Sequence, residues 1–240
     1  MEIVKKLSAK AKDNMNMPGV TVAFLGDSVT QGCFELYKKA EDVIETVFDK
    51  NNAYHAHFAK ALSVLYPTVP VNIINAGISG DNAPHALERI DVDVISHNPD
   101  LVVVCFGLND SLLGRENVDN YANALRNIFL KLKEKNIETI FMTPNMMNTY
   151  VSYSIEDKSI KNVANDTYKI QTDGVLEYYL EEAKKVCNEL GVTVCDCYGK
   201  WKKLYESGVD TTELLSNKMN HPTRDMNWLF AVSLLEKIFE

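Results

Sequence analysis

The chain has 240 residues, 46% of them apolar, enough for one large domain with a substantial core. A formal charge of −8 argues against a nucleic-acid-binding surface and fits an ordinary soluble protein, while saying nothing of the substrate. Five cysteines, Cys33, Cys105, Cys187, Cys195 and Cys197, are an odd number without the paired spacing of a zinc site.

Met1 to Met17 carries lysines but neither the apolar core nor the cleavage site of a signal peptide. No run of about eighteen apolar residues could span a bilayer. These features predict a cytoplasmic protein with no membrane insertion. Residues 1–18 read as an N-terminal arm or short helix, with Lys5 to Met15 amphipathic, and residues 19–240 as a single domain. Cys105 and Cys195 sit in apolar strand-like runs, where a free thiol packs as a small hydrophobe. A redox or metal fragment at Cys195-Asp196-Cys197 is the lesser reading, and a reducing compartment suits all five thiols.

From Val20 onward strands and helices alternate. Val20, Val22, Phe24 and Leu25 form an apolar run suited to a strand buried on both faces, broken at Gly26. Phe34 to Asp49 has Leu36, Ala40, Val43 and Val47 at helical spacing, though its charges leave the assignment open. Ala53 to Leu65 is a clearer helix, ended by Pro67 and Pro70. Val71 to Asn75 is a second strand, followed by the glycine-bearing turn Ala76 to Asp81 and a helix from Ala83 to Ile90 or a little beyond. Leu101 to Phe106, with no charged or amide residue, suits the centre of a parallel sheet.

The second half repeats the pattern. Val118 to Lys135 places Leu125, Ile128, Phe129 and Leu132 on one helical face. Ile137 to Met142 is the fourth strand. Met146 to Asp166 is polar and irregular, a candidate surface loop or lid. Val175 to Leu190 is a helix closed by Gly191, Val192 to Asp196 the fifth strand, and Asp225 to Glu240 a closing helix. Strands separated by helices imply parallel pairing through right-handed crossovers, and so a three-layer α/β/α sandwich.

Three polar turns follow directly on strand ends: Gly26-Asp27-Ser28, Asn75 to Asp81, and Gly107 to Asp110. In an open parallel sheet these carboxyl ends share one edge, where ligand sites form. Ser28 between a strand and a helix's first turn faces unpaired amide N–H groups, although Asp and Ser there also suit a plain N-cap. His221 stands just ahead of the last helix. A hydroxyl, a possible base, a glycine N–H and a side-chain amide are the parts that acyl transfer requires.

These four blocks, with Asn75-Ala76-Gly77-Ile78-Ser79-Gly80-Asp81, Gly107-Leu108-Asn109-Asp110 and His221-Pro222 in that order, resemble the GDSL, or SGNH, hydrolases over nearly the whole chain from Val20. The resemblance implies a flavodoxin-like fold with a five-stranded parallel sheet between helices. It implies Ser28 as nucleophile, His221 as general base, and an oxyanion hole from the Gly80 and Ser28 N–H groups and the Asn109 amide. The family places an aspartate three residues before the histidine, where this chain has Lys218. That leaves a Ser–His dyad oriented by a backbone carbonyl or Asn217, a carboxylate from elsewhere such as Glu213, or weakened catalysis.

The remaining conspicuous residues have bland readings. His55 and His57, two apart on a helix, point to different faces and suit no metal pair. His85 reads as a surface helix position or a substrate contact, and His97 as a loop or helix-end residue. Tyr150, Tyr153 and Tyr168 suit a carbohydrate or acyl pocket and ordinary half-exposed positions equally. Asp27 and Asp110 read as hydrogen-bonding supports of the turns. The expectation is a serine hydrolase of carboxylic esters working through an acyl-enzyme on a small-molecule substrate, with short acyl groups such as acetyl, on carbohydrate, favoured. No metal or cofactor is implied. The alternative is a weakened or dead member of the fold that binds carbohydrate or acyl groups.

Overall fold

The computed structural model describes residues 1–41 and 43–240. The run at Val20 forms β1 (Val20–Gly26), paired in parallel on one edge with β4 (Val71–Gly77) and on the other with β5 (Leu101–Cys105). Two more parallel strands, β6 (Glu138–Met142) and β7 (Thr193–Cys195), complete a five-stranded sheet of order β4-β1-β5-β6-β7. Val22 through Leu25 and all of β5 are buried, as strands must be when neighbours flank both edges and helices cover both faces.

The first crossover, α3 (Tyr54–Leu65), runs from β1 outward to β4, and α4 (Ala83–Asp93) returns past β1 to β5. Right-handed crossovers in opposite directions lie on opposite faces of a sheet. The α3 layer is shared with α10 (Asn227–Phe239), against which α1 (Glu2–Lys12) also packs. The other layer holds α4, α6 (Val118–Glu134) and α8 (Val175–Leu190) in succession. The strand order reverses between β1 and β5, the crevice where open α/β sheets build their sites.

Residues 1–18 contain a docked helix rather than a free arm: Ile3 and Leu7 of α1 are fully buried, and the Glu138 carboxylate accepts from the Glu2 and Ile3 N–H groups at 2.9 and 2.8 Å. The segment from Phe34 to Asp49, whose helical spacing left the assignment open, is an antiparallel hairpin, β2 (Cys33–Ala40) and β3 (Val43–Phe48). Val43, Ile44, Thr46 and Val47 are β-branched, and cross-strand pairs such as Leu36 with Thr46 and Tyr37 with Glu45 outweigh the helical spacing of a few apolar residues.

The loop expected over Met146 to Asp166 is corrected at both ends. Met146, Met147 and Asn148 are buried, with the Met147 N–H donating to Gln171 Oε1 and the Asn148 amide to the Tyr150 and Ala164 carbonyls. From Lys158 the chain is helical, α7 (Lys158–Thr172), with the Asp157 carboxylate capping the Ser159 and Ile160 N–H groups. A further helix, α9 (Cys197–Glu206), begins at Asp196, which accepts from the Gly199 N–H. All five cysteines are buried and free.

Gly77 ends β4 where the backbone of α2 (Ser28–Gln31) crosses it. A Cβ there would lie 2.3 Å from the Gln31 nitrogen and 2.7 Å from the Thr30 carbonyl carbon. Backbone cannot swing aside as a flexible side chain can. Gly77→Ala is therefore expected to lower stability by about 1–3 kcal/mol, read as a lower urea midpoint; an unchanged midpoint would contradict this packing.

Candidate active site

Ser28 is the first residue of α2, behind Asp27, whose carboxylate accepts from the Val29 N–H at 2.9 Å. Its hydroxyl lies 2.9 Å from His221 Nε2, and the other ring nitrogen, Nδ1, lies 2.8 Å from the backbone oxygen of Phe34. A carbonyl can only accept, so Nδ1 carries the ring proton and Nε2 offers its lone pair to the Ser28 O–H. Ser28 and His221 are buried, and desolvation holds the imidazole pKa below its ordinary value.

The loop that carries His221 is tied by one amide. Asn217 Oδ1 accepts from the Met219, Asn220 and His221 N–H groups at 3.0, 3.0 and 2.9 Å, and its Nδ2 donates to Asn220 Oδ1 at 2.9 Å. The Asn145 amide holds the Asn220 carbonyl at 2.9 Å. Lys218, in the left-handed region with φ of 57°, turns its ammonium to Glu213 at 2.9 Å. Of the orienting groups the sequence left open, the one that reaches the imidazole is a backbone carbonyl. Asn217 shapes the loop, and Glu213 is engaged by Lys218.

The other strand ends are stitched to one another. Asn75 donates to the Gln31 carbonyl and accepts from the Gly77 N–H. Gln31 Oε1 in turn accepts from the Ser79 N–H at 2.7 Å. The Asp110 carboxylate accepts from the Ala83 and Gly107 N–H groups at 2.9 and 3.0 Å. Asn109, in the short helix α5 (Leu108–Ser111), donates one amide hydrogen to the Asp81 carbonyl at 2.8 Å, leaving the other to point elsewhere. Gly80 adopts φ of 79°, which favours glycine. Neither its N–H nor that of Ser28 finds an acceptor among the described residues.

Arg89, which carries no chemistry in the sequence reading, fastens these turns from α4. It donates to the Asp81 carboxylate, the Ala76 carbonyl at 2.9 Å and the Gly26 carbonyl at 3.2 Å, so it touches the ends of both β1 and β4. Its signal was an arginine eight residues after Asp81 on a helix. Phe34 had no signal, because every residue carries a carbonyl.

The other histidines lie apart from this relay. His55 Nε2 accepts from the Asn75 amide at 3.0 Å, and burial lowers its pKa to about 4. His57 stacks on Trp228 with ring centres 4.2 Å apart. His85 is exposed beside Asp81, and His97 ends a single 3-10 turn. Tyr153 is exposed, Tyr168 half-buried, and Tyr150 donates to Asp210 at 2.8 Å. Among the described residues no cluster of three or more His, Cys, Asp or Glu side chains is arranged to hold a metal ion.

Asp27 and Asp110 act as supports of the turns, and burial pushes both carboxyl pKa values up to about 7. A carboxyl that prefers its proton in the folded state stabilises the fold fully below its unfolded value near 4, and that contribution is lost as the pH rises through 7. Asp27→Asn keeps an oxygen for the Val29 N–H and cannot ionise. The variant is expected to lose less stability between pH 4 and 8 than the wild type, by on the order of 2–4 kcal/mol, in urea titrations at the two pH values; equal losses would contradict a protonated Asp27.

A doubly wound α/β/α sandwich with a hydrogen-bonded Ser–His pair at its switch point defines the SGNH class of fold. The chain belongs to the GDSL-like lipase/acylhydrolase family, whose model matches residues 24–229. It is similar to an acetylxylan esterase of Geobacillus stearothermophilus, with 29% identity over 135 residues, 52% of this chain and 60% of that protein. The match thus spans about three fifths of that relative's length. The solved structure of Axe2, an acetylxylan esterase from the same organism, superposes with a TM-score of 0.66 at 22% identity, covering 92% of this chain and 94% of its own. An acetyl xylan esterase called AlAXEase gives 0.66 at 22% over 90% and 98%. Two other Axe2 structures are described as catalytic mutants, one with a serine and one with an aspartate replaced by alanine. Among the described residues no helix is long and apolar enough to cross a membrane.

Proposed function

We propose that the protein is a serine esterase that removes short acyl groups, acetyl above all, from hydroxyl-rich substrates of the oligosaccharide type. The observation that carries this reading is the unbroken relay from the Ser28 hydroxyl through the His221 ring to the Phe34 carbonyl, at 2.9 and 2.8 Å. The likeness to acetylxylan esterases supports the acyl group and the substrate class. A cavity of about 280 Å³ against the loop that carries His221 is lined by Glu35, Ser154, Asp157 and Asn217 together with Leu36, Ile155 and Ile160, a mixed surface that does not by itself choose between sugar and acyl groups.

In the proposed reaction Ser28 Oγ attacks the ester carbonyl carbon as its proton passes to His221 Nε2. The Ser28 and Gly80 N–H groups and the free Asn109 amide hydrogen stabilise the oxyanion. Collapse breaks the bond to the alcohol, which leaves with the proton from His221, and the acetyl group stays on Ser28. Water then gives its proton to His221 and its oxygen to the acyl carbon, releasing acetate and restoring the Ser28 hydroxyl. His221 works as the neutral ring, and its lowered pKa favours that form, so the acidic limb of turnover should lie below the ordinary histidine value of about 6.5.

Ser28→Ala is expected to abolish hydrolysis of an acetyl ester, with a loss of up to about a million-fold, while the urea midpoint stays within experimental scatter. A panel of acetylated xylooligosaccharides and 4-nitrophenyl acetate, butyrate and octanoate tests the substrate class. The acetyl compounds should lead, and an enzyme inert to all of them, or one preferring octanoate, would overturn the reading. Asn109→Ala should lower kcat by about a hundred- to a thousandfold with little change in KM. A change confined to KM would assign Asn109 to substrate binding instead.

A further inference from the structure

Arg224 lies three residues beyond His221, and its side chain is engaged on every side. Nη1 and Nη2 donate to the two carboxylate oxygens of Glu35 at 2.6 and 3.1 Å, and Nε donates to Asp49 at 2.8 Å. The guanidinium carbon sits 4.3 Å from the centre of the Phe34 ring. Glu35 follows Phe34 in β2, and Asp49 follows the last residue of β3, with its N–H donating to the Gly32 carbonyl at 2.8 Å. One guanidinium therefore grips both strands of the hairpin at their base, together with the residue whose carbonyl receives the His221 proton.

Among the described residues the hairpin has few other tethers near this point. Beyond Phe34 the described residues of its strands are half-buried or exposed. Leu36 packs on a small cluster with Ile155, Ile160 and Met219, and Lys38 pairs with Asp157 at 3.1 Å. A two-stranded hairpin is marginal by itself, so the place of the Phe34 carbonyl depends on what clamps its base. We propose that Arg224 is a positioning residue for His221, holding the hairpin onto the histidine loop so that the Phe34 carbonyl stays on Nδ1. It thereby supplies through the backbone the orientation that an aspartate in the Lys218 position would supply directly. The inference rests on the roles of Ser28 and His221 proposed above.

A planar fork that meets one carboxylate with two bonds, meets a second with a third and lies on a ring cannot be replaced by an ammonium. Arg224 also neutralises Glu35, the charged group whose field reaches His221. The other groups facing the imidazole are the Ser28 hydroxyl from α2 and the Phe34 carbonyl from β2, neither of them charged. Removing the guanidinium thus has two separable effects: the carbonyl loosens, and an unpaired Glu35 carboxylate raises the pKa of the base.

The test is the pH dependence of kcat and KM for 4-nitrophenyl acetate in the wild type, Arg224→Gln, Arg224→Lys and Arg224→Gln combined with Glu35→Gln, with Ser28→Ala as control. Arg224→Gln should lower kcat by roughly ten- to a hundredfold, leave KM within about twofold, and move the acidic limb to higher pH. Adding Glu35→Gln, or using Arg224→Lys, should return the limb towards the wild-type position without restoring kcat. Wild-type kcat and limb in a folded Arg224→Gln protein would overturn the inference, and so would an effect on KM alone. If Arg224→Gln does not fold, Phe34→Leu keeps the carbonyl and removes the stacked ring; lowered kcat with an unmoved limb is then expected, and wild-type kcat overturns it. Activity that survives Ser28→Ala would instead overturn the esterase mechanism itself, whatever Arg224 does.

Discussion

The hydrogen bond from His221 Nδ1–H to the Phe34 carbonyl, at 2.8 Å, is the interaction on which the rest of the proposed mechanism depends. An imidazole serving as base needs its proton on the nitrogen away from the nucleophile. An acceptor-only partner enforces that tautomer whether or not it is charged. In serine proteases an aspartate does this, and its replacement by an asparagine, which can favour the wrong tautomer, costs roughly ten-thousand-fold in kcat. A carbonyl carries no hydrogen and cannot make that error. It gives up the charge-assisted part of the bond, which is about twice as strong as a neutral one, and so stabilises the imidazolium less as it forms.

Burial of the ring follows the same logic. With no anion in contact, desolvation sets the direction of the His221 pKa, below its ordinary value. The opposite treatment falls on Asp27 and Asp110, whose carboxyls are buried at the strand ends and prefer their protons near neutrality while they receive backbone N–H groups. Burial thus disfavours charge on each of the groups that flank the proposed nucleophile. The formal charges around the site are paired, Glu35 with Arg224 and Asp81 with Arg89. In this chain the group that meets His221 Nδ1 is the Phe34 carbonyl rather than a carboxylate.

The sheet was legible because its strands have no choice of environment. The charge-free run Leu101 to Phe106 can be buried on both faces and nowhere else, and the glycines that end β1, β4 and the turn after β5 mark the edge where Ser28, Gly80 and Asn109 gather. The hairpin was not legible. Its strands are half-exposed, so no hydrophobic period identifies them, and the few apolar residues fall at helical spacing by chance. The support of His221 was hidden for the related reason that a backbone acceptor leaves no mark in a sequence. Asn217 was visible as a candidate, but its oxygen is committed to three N–H groups of its own loop, and only the folded turn reveals that. The buried start of the segment after β6 was missed because its polar residues, Asn145 and Asn148, spend their amides on backbone carbonyls, which looks like loop composition.

The protonation of the His221 ring tests the account most directly. Nitrogen-15 and proton NMR of the imidazole at pH 7.5 distinguishes the two neutral tautomers and the cation by the shifts of the two nitrogens. The account predicts a neutral ring with its proton on Nδ1, a slowly exchanging N–H resonance from the bond to Phe34, and a titration midpoint below 6.5. A ring protonated on Nε2, or one still cationic at pH 7.5, would contradict it.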